Sequence, residues 1–133
     1  MSLVADQMTR EIVSVGPEAS IHEAFATMRE GRLRHVLVRA DDGRVLGMVS
    51  SHDLVRVTLQ NQGRVLDLDG CVAKDIMTPA PLQSIGPRAT LAQAAQLLDE
   101  LQIGALTVQD AGALVGILTT SDLLRTFWQT RSP

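Results

Sequence analysis

Aromatic residues are nearly absent: Phe25, Phe127 and Trp128 are the whole set, and there is no tyrosine. A core for this chain must be built from Val, Leu, Ile, Ala and Met. A planar ligand would have to be gripped by aliphatic side chains and backbone, because stacking rings are scarce. Cysteine is scarcer still. Cys71 stands alone, which excludes an intrachain disulfide and a thiolate-based metal site and favours a reducing compartment. No apolar run approaches the roughly 20 residues that span a bilayer, and the N-terminus has no charged stretch leading into an apolar one. The expected location is cytoplasmic, with no membrane partner. Nor is there an excess of basic charge. The formal net charge is −3, which argues against a phosphate-tracking surface for nucleic acid.

Catalytic and metal-binding patterns are missing too. His22, His35 and His52 have no metal-ligand spacing, and neither a P-loop nor a G-x-G-x-x-G occurs. The carboxylate pairs Asp41–Asp42 and Asp67/Asp69 fall in a turn and a connecting segment, where solvation is their ordinary fate. No catalytic residues and no metal are expected, and the chain does not read as an enzyme.

What the 133 residues do contain is a duplication. Asp6-Gln7-Met8-Thr9 returns as Asp75-Ile76-Met77-Thr78, and Gly16-Pro17-Glu18-Ala19 returns as Gly86-Pro87-Arg88-Ala89. Near the end of each copy, Gly47-Met48-Val49-Ser50-Ser51-His52-Asp53-Leu54 is matched by Gly116-Ile117-Leu118-Thr119-Thr120-Ser121-Asp122-Leu123. The offset is 69 at the first match, 70 at the second and 69 again at the third, so one residue is gained before Gly86 and one lost before Gly112. The chain is two tandem copies of a unit of half its length. The first covers residues 1–60 and the second 72–133, joined by a polar, glycine-punctuated linker at 61–71.

Each copy carries the same signals in the same order. An extended stretch (Ile12 to Val15; Leu82 to Ile85) ends at Gly-Pro, a turn signal. Ser20-x-x-Glu23 and Thr90-x-x-Gln93 then predict capping boxes. Behind them Ile21, Ala24, Phe25 and Met28, or Leu91, Ala94, Ala95 and Leu98, form one apolar helical stripe. Two short apolar strands follow, Val36 to Val38 with Val45 to Val49 and Leu106 to Val108 with Leu114 to Leu118. They turn at Asp41-Asp42-Gly43 and at Asp110-Ala111-Gly112. A last helix opens at the duplicated motif, with Leu54 and Val57, or Leu123, Leu124, Phe127 and Trp128, predicted to face inward. The unit reads β-α-β-β-α, an α/β (α+β) fold.

The hydroxyl-x-x-aspartate at Ser50/Asp53 and Thr119/Asp122 has two readings. It is a helix start in which hydroxyl and carboxylate cap one another, or a binding edge in which both face a sugar. A carboxylate accepts two hydrogen bonds from a vicinal diol, and a helix N-terminus attracts phosphate. A capping carboxylate retains spare lone pairs, so the readings are compatible.

The ordered set of D-x-M-T starts, Gly-Pro turns, alanine-bearing helices and G-h-h-S/T-x-x-D ends, present twice, resembles a tandem pair of cystathionine-β-synthase (CBS) domains, a Bateman module. The resemblance covers nearly the whole chain. It implies two repeats packed with pseudo-twofold symmetry and two clefts that take adenosine ligands of the AMP, ADP or ATP type. It also implies a homodimer of modules and regulation of an effector protein in trans. Carried over by position, the main cleft comprises Asp53, Ser50, Arg34 and His35, with Thr78, Ala80, Ile103 and Gly104 on its adenine side. The second comprises Asp122, Thr119 and Ser121, with Thr9, Arg10 and Leu33. Arg34 and His35 match positions that contact phosphate in the family, whereas Gly104 and Ala105 stand there in the second copy, so the two clefts are expected to be unequal. Leu37 and Thr107 replace a proline common in the family, and His52 stands where a hydroxyl is frequent. An S-adenosylmethionine or NAD-type ligand, and a ligand-free dimerisation or interaction module, are the alternatives.

Overall fold

The computed structural model describes residues 2–60 and 70–131; most of the expected linker at 61–71 lies outside them. The elements run α1 (Val4–Gln7), β1 (Ser14–Val15), α2 (Ile21–Gly31), β2 (His35–Arg39), β3 (Val45–Ser50), α3 (Ser51–Gln60), α4 (Ala73–Ile76), β4 (Thr78–Pro79), β5 (Ser84–Ile85), α5 (Leu91–Leu101), β6 (Ala105–Asp110), β7 (Ala113–Thr119) and α6 (Thr120–Arg131). The fold is mixed α+β with two small sheets, ordered β1-β2-β3-β4 and β5-β6-β7. In each sheet the first pair is parallel and the second antiparallel.

The chain forms two compact units, Val13–Leu82 and Met1–Ile12 with Gln83–Pro133. These do not follow the repeats: the D-x-M-T segment that opens each repeat packs into the body of the other.

In the first of these units, Ala73 and Lys74 donate their N–H groups to Ala19 and Pro17 carbonyls at 2.8 and 3.1 Å. β4 then adds antiparallel to β3, pairing Thr78 with Met48 and Pro79 with Gly47. Val36, Val38 and Val49 of the sheet pack with Ile21 and Met28 of α2 and with Ala73 and Ile76 of α4. Leu37, on the alternate side of β2, is also fully buried, as expected of a near-continuous apolar strand.

The second unit repeats the device across a far longer stretch of chain. Val4 and Ala5 donate to Ala89 and Pro87 carbonyls at 2.8 and 2.9 Å, and Thr9 pairs with Ile117 of β7. Its core joins Val4 and Met8 to Ala94, Leu98, Leu106, Val108 and Leu118.

The D-x-M-T tetrad divides its labour the same way in both units. Asp6 and Asp75 accept hydrogen bonds from the N–H groups of Leu3 and Val72 at 2.9 and 3.0 Å, closing the short α1 and α4. Met8 and Met77 reach the cores. Thr9 and Thr78 line up beside a glycine of the neighbouring strand. At Gly47 a Cβ would lie 2.5 Å from the Thr78 carbonyl oxygen, and at Gly116 it would lie 2.7 Å from the Met8 sulfur.

Of the two predicted capping boxes the second is complete, Thr90 and Gln93 making both halves, while at the first Glu23 N–H donates to Ser20 Oγ at 3.0 Å without the return bond from Ser20 N–H among the described residues. The hairpins explain the residue lost before Gly112. Asp41-Asp42-Gly43 is a three-residue loop ending in a left-handed glycine (φ 90°), closed by the Ala40–Arg44 backbone bond. Ala111-Gly112 is a two-residue loop with both φ values positive, 52° and 83°, between the paired Asp110 and Ala113.

The facing of α6 differs from expectation. Leu123 packs on the core, but Leu124, Phe127 and Trp128 are 57, 53 and 72% exposed. The helix instead turns Asp122 inward, to 2% exposure. With Asp122 and Leu123 inside, the positions 124, 127 and 128 fall together on the outer side. Phe25 of the α2 stripe is likewise exposed, as is Ala95 of α5.

Candidate functional site

Both aspartates of the duplicated motif sit in the first turn of a helix that follows directly on a strand, and both are buried although charged. Asp53 is 7% exposed and Asp122 2%. The capping reading is realised at each. Asp53 Oδ2 accepts from Ser50 N–H at 2.7 Å and from Ser50 Oγ at 3.0 Å, while Asp53 N–H donates back to Ser50 Oγ at 3.2 Å. Asp122 Oδ2 accepts from Thr119 N–H at 2.9 Å, and Asp122 N–H donates to Thr119 Oγ1 at 3.1 Å.

A buried carboxylate needs more compensation than a cap supplies, and each receives an arginine that the motif reading missed. Arg56 donates to Asp53 Oδ1 at 2.9 Å and reaches the Ile76 carbonyl at 3.4 Å. Arg125 donates to Asp122 Oδ1, also at 2.9 Å. The signal was in the sequence: Asp-x-x-Arg occurs at the start of both helices, the i, i+3 spacing of a helical ion pair.

The register of β2 on β3 brings the other expected residues of the main site to Asp53. His35 is cross-strand partner to Ser50, and Ser51 N–H donates to the Arg34 carbonyl at 2.9 Å. Arg34, His35, Ser50 and Asp53 thus gather at one end of this sheet, with Arg34 exposed and His35 half-buried. Thr78 and Ala80 run along the opposite edge of β3, Ala80 N–H donating to the Leu46 carbonyl at 2.8 Å. Leu33 precedes this group as a half-buried residue whose N–H closes on Met28.

The other unit has the matching frame with different contents. Ala105 is partner to Thr119, and Thr120 N–H donates to the Gly104 carbonyl at 3.0 Å. No cation stands at the positions equivalent to Arg34 and His35. Thr9 lies against Asp122, its hydroxyl donating to Oδ1 at 3.2 Å and Oδ2 at 3.4 Å. Arg10 is turned back onto the Ala5 carbonyl at 3.0 Å. Ser121 is exposed in the first turn of α6, and Ile103 is half-buried with its N–H on Leu98. His52, in the place of Ser121, is exposed.

The described residues hold no group of three or more His, Cys, Asp or Glu side chains that could bind a metal ion, and no helix among them is long and apolar enough to cross a membrane. A family model for the CBS domain matches this frame twice, at residues 4–59 and 73–128. The chain belongs to the CBS domain family. It is similar to the CBS domain-containing protein YhcV of Bacillus subtilis, 32% identical over 92% of this chain and 84% of that protein. It also resembles CBSX2, solved in complex with AMP, at 30% identity, TM-score 0.77, covering 99% of this chain and 100% of that one. A third relative is much longer than this chain. The homoserine O-acetyltransferase of Methanohalophilus mahii is 28% identical over 90% of this chain, which spans only 23% of that enzyme.

Proposed function

We propose that this CBS pair is a regulatory module that binds an adenosine nucleotide of the AMP, ADP or ATP type at Asp53 and acts in trans on a partner protein. The observation that carries this reading is the state of the Asp53 carboxylate. It is buried and held at a strand–helix junction, and the three hydrogen bonds it accepts from the described residues leave one of about four acceptor positions open among them. Ser50 Oγ can rotate its proton to a ligand while still accepting from Asp53 N–H, which yields the second acceptor a ribose diol requires. Arg34 and His35 stand beside it for the phosphate, and Thr78 and Ala80, along the edge of β3, are proposed for the adenine side. The full-length likeness to CBSX2, which holds AMP, supports the same ligand class.

The second position, at Asp122, Thr119 and Ser121 with Thr9 and Arg10, is proposed as the weaker one because it lacks cations at the places of Arg34 and His35. The lone Cys71 favours a reducing, cytoplasmic setting. The exposed Leu124, Phe127 and Trp128 stripe is proposed as the contact between two copies of the module. A ligand-free interaction module is the second reading, and one observation favours it: both hydroxyl-x-x-aspartate motifs are fully formed caps.

A thermal-shift screen with AMP, ADP, ATP, S-adenosylmethionine and NAD, with GTP as a base control, separates the two. A ligand at 100 times its dissociation constant stabilises the folded state by about 2.7 kcal/mol. In a domain of this size that raises the melting temperature by roughly 8–12 °C. The shift should vanish in Asp53→Ala and shrink in Arg34→Ala, whose lost charge-assisted hydrogen bond weakens binding roughly 10- to 150-fold. If none of the five adenosine compounds shifts the wild type, the motifs are caps alone.

A further inference from the structure

The guanidinium that compensates Asp53 also reaches a second element. Arg56 Nη2 carries two protons, one for Asp53 Oδ1 at 2.9 Å and one for the Ile76 carbonyl at 3.4 Å. Ile76 is the last residue of α4, a four-residue helix whose final carbonyls have no partner inside it. An arginine at that end supplies a donor the helix itself lacks. Arg56 thus joins the carboxylate of α3 to the end of α4, all within Val13–Leu82.

α4 belongs to the segment that the second repeat contributes to this unit. The N–H groups of Ala73 and Lys74 hold its start on the Ala19 and Pro17 carbonyls, flanked by the Lys74–Glu18 ion pair at 2.6 Å. The chain then continues through β4 to Gln83, where the other unit resumes. In that other unit the segment from the first repeat is tied to its aspartate by a different side chain. The single proton of the Thr9 hydroxyl is shared between Asp122 Oδ1 and Oδ2 at 3.2 and 3.4 Å, while Arg125 donates to Asp122 alone among the described residues. Two unlike side chains therefore make the same connection, from a buried aspartate to the segment contributed by the other repeat.

We infer that Arg56 is a positioning residue that couples occupancy of Asp53 to the seating of residues 72–79. This rests on the adenosine-binding reading above. A ribose hydroxyl that donates to Asp53 fixes the carboxylate, and a fixed carboxylate holds the guanidinium on the Ile76 carbonyl. The segment is then seated more firmly with ligand than without it. Coupling of this kind is reciprocal, so the site loses affinity by the same factor when the segment is unseated.

NMR reads both ends of this connection: the Ser50 amide shift reports the site, and hydrogen exchange at Ala73 and Lys74 reports the segment. Adenosine is the probe, and the hairpin amide of Gly43, bonded to the Ala40 carbonyl, is the control for a general effect. In the wild type, saturating adenosine should shift Ser50 and slow exchange at Ala73 and Lys74 by roughly fivefold or more, the low end of ordinary coupling, with Gly43 unchanged. Arg56→Met keeps an apolar stem and removes the guanidinium. There adenosine should still shift Ser50, but the slowing at Ala73 and Lys74 should vanish. Arg56→Gln, polar but shorter, is the second variant should Arg56→Met not fold, with the same loss expected. A merely structural arginine would change exchange with and without adenosine alike and leave the slowing intact. Intact slowing in the variants overturns the coupling, as does a wild type in which Ser50 responds while Ala73 and Lys74 do not slow. If Ser50 does not respond to adenosine in the wild type, the adenosine-binding reading itself falls and the coupling with it.

Discussion

Gly47 and Gly116 occupy matching positions, yet a methyl group at each meets different matter. At Gly47 a Cβ would lie 2.5 Å from the Thr78 carbonyl oxygen, part of a paired backbone that cannot retreat without breaking β4 from β3. At Gly116 the nearest atom is the Met8 sulfur at 2.7 Å, the mobile end of a flexible side chain, with the Thr9 carbonyl at a looser 3.0 Å. Overpacking costs about 1–3 kcal/mol. Gly47→Ala should therefore reach the upper end of that range and Gly116→Ala the lower, in urea unfolding followed by circular dichroism. Charge also acts residue by residue. Hydrogen bonds from Arg44, first its backbone N–H and then its side chain, hold the Asp42 carboxyl below its ordinary 3.8. A folded value below the unfolded one stabilises above pH 3.8 and is lost as pH falls through the lowered value. Both side chains are largely exposed, so stability at neutral pH should not change measurably in Arg44→Ala. The NMR titration midpoint of Asp42 should return toward 3.8.

At the scale of elements, the helices α2 and α5 were legible because every signal that forms them is local. Thr90 and Gln93 satisfy each other's N–H groups across one turn, and Ala94 and Leu98 bury the stripe their spacing announces. Thr90→Ala removes one of these bonds and should cost about 1 kcal/mol in the same unfolding experiment. The strands and hairpins were legible for a related reason: alternation and a glycine turn are short-range patterns. What the sequence did not reveal are the elements whose partners are remote. Asp6-Gln7-Met8-Thr9 was visible as a repeated word, but α1 and the strand-like Thr9 exist only against Ala89, Pro87 and Ile117. The facing of α6 was misread because an apolar stripe at 124, 127 and 128 looks the same whether it covers a core or awaits a neighbour. The buried charge of Asp122 decided the rotation, and its cause was Arg125 and Thr9. Gathering Arg34 and His35 beside Ser50 needed the strand register, whereas the aspartates themselves stood out from the duplication alone.

At the scale of the whole chain, the unit that contains the C-terminal half depends on the first residues for its core. Met8 is nearly fully buried there, among Leu98, Leu106 and Leu118. Met8→Ala should cost about 2–5 kcal/mol. Met77, its counterpart, is only half-buried, and Met77→Ala should cost less. Thermal denaturation of the two variants side by side checks the order. The same dependence imposes a timetable on the ribosome. Val13–Leu82 is continuous and can close once its last residue has emerged. Residues up to Ile12 have to wait for Gln83–Pro133, which follows Val13–Leu82 in the chain. The segment that carries Val4 and Met8 thus finds its place only after the whole of Val13–Leu82 has been made, and until then both side chains lack the core that buries them.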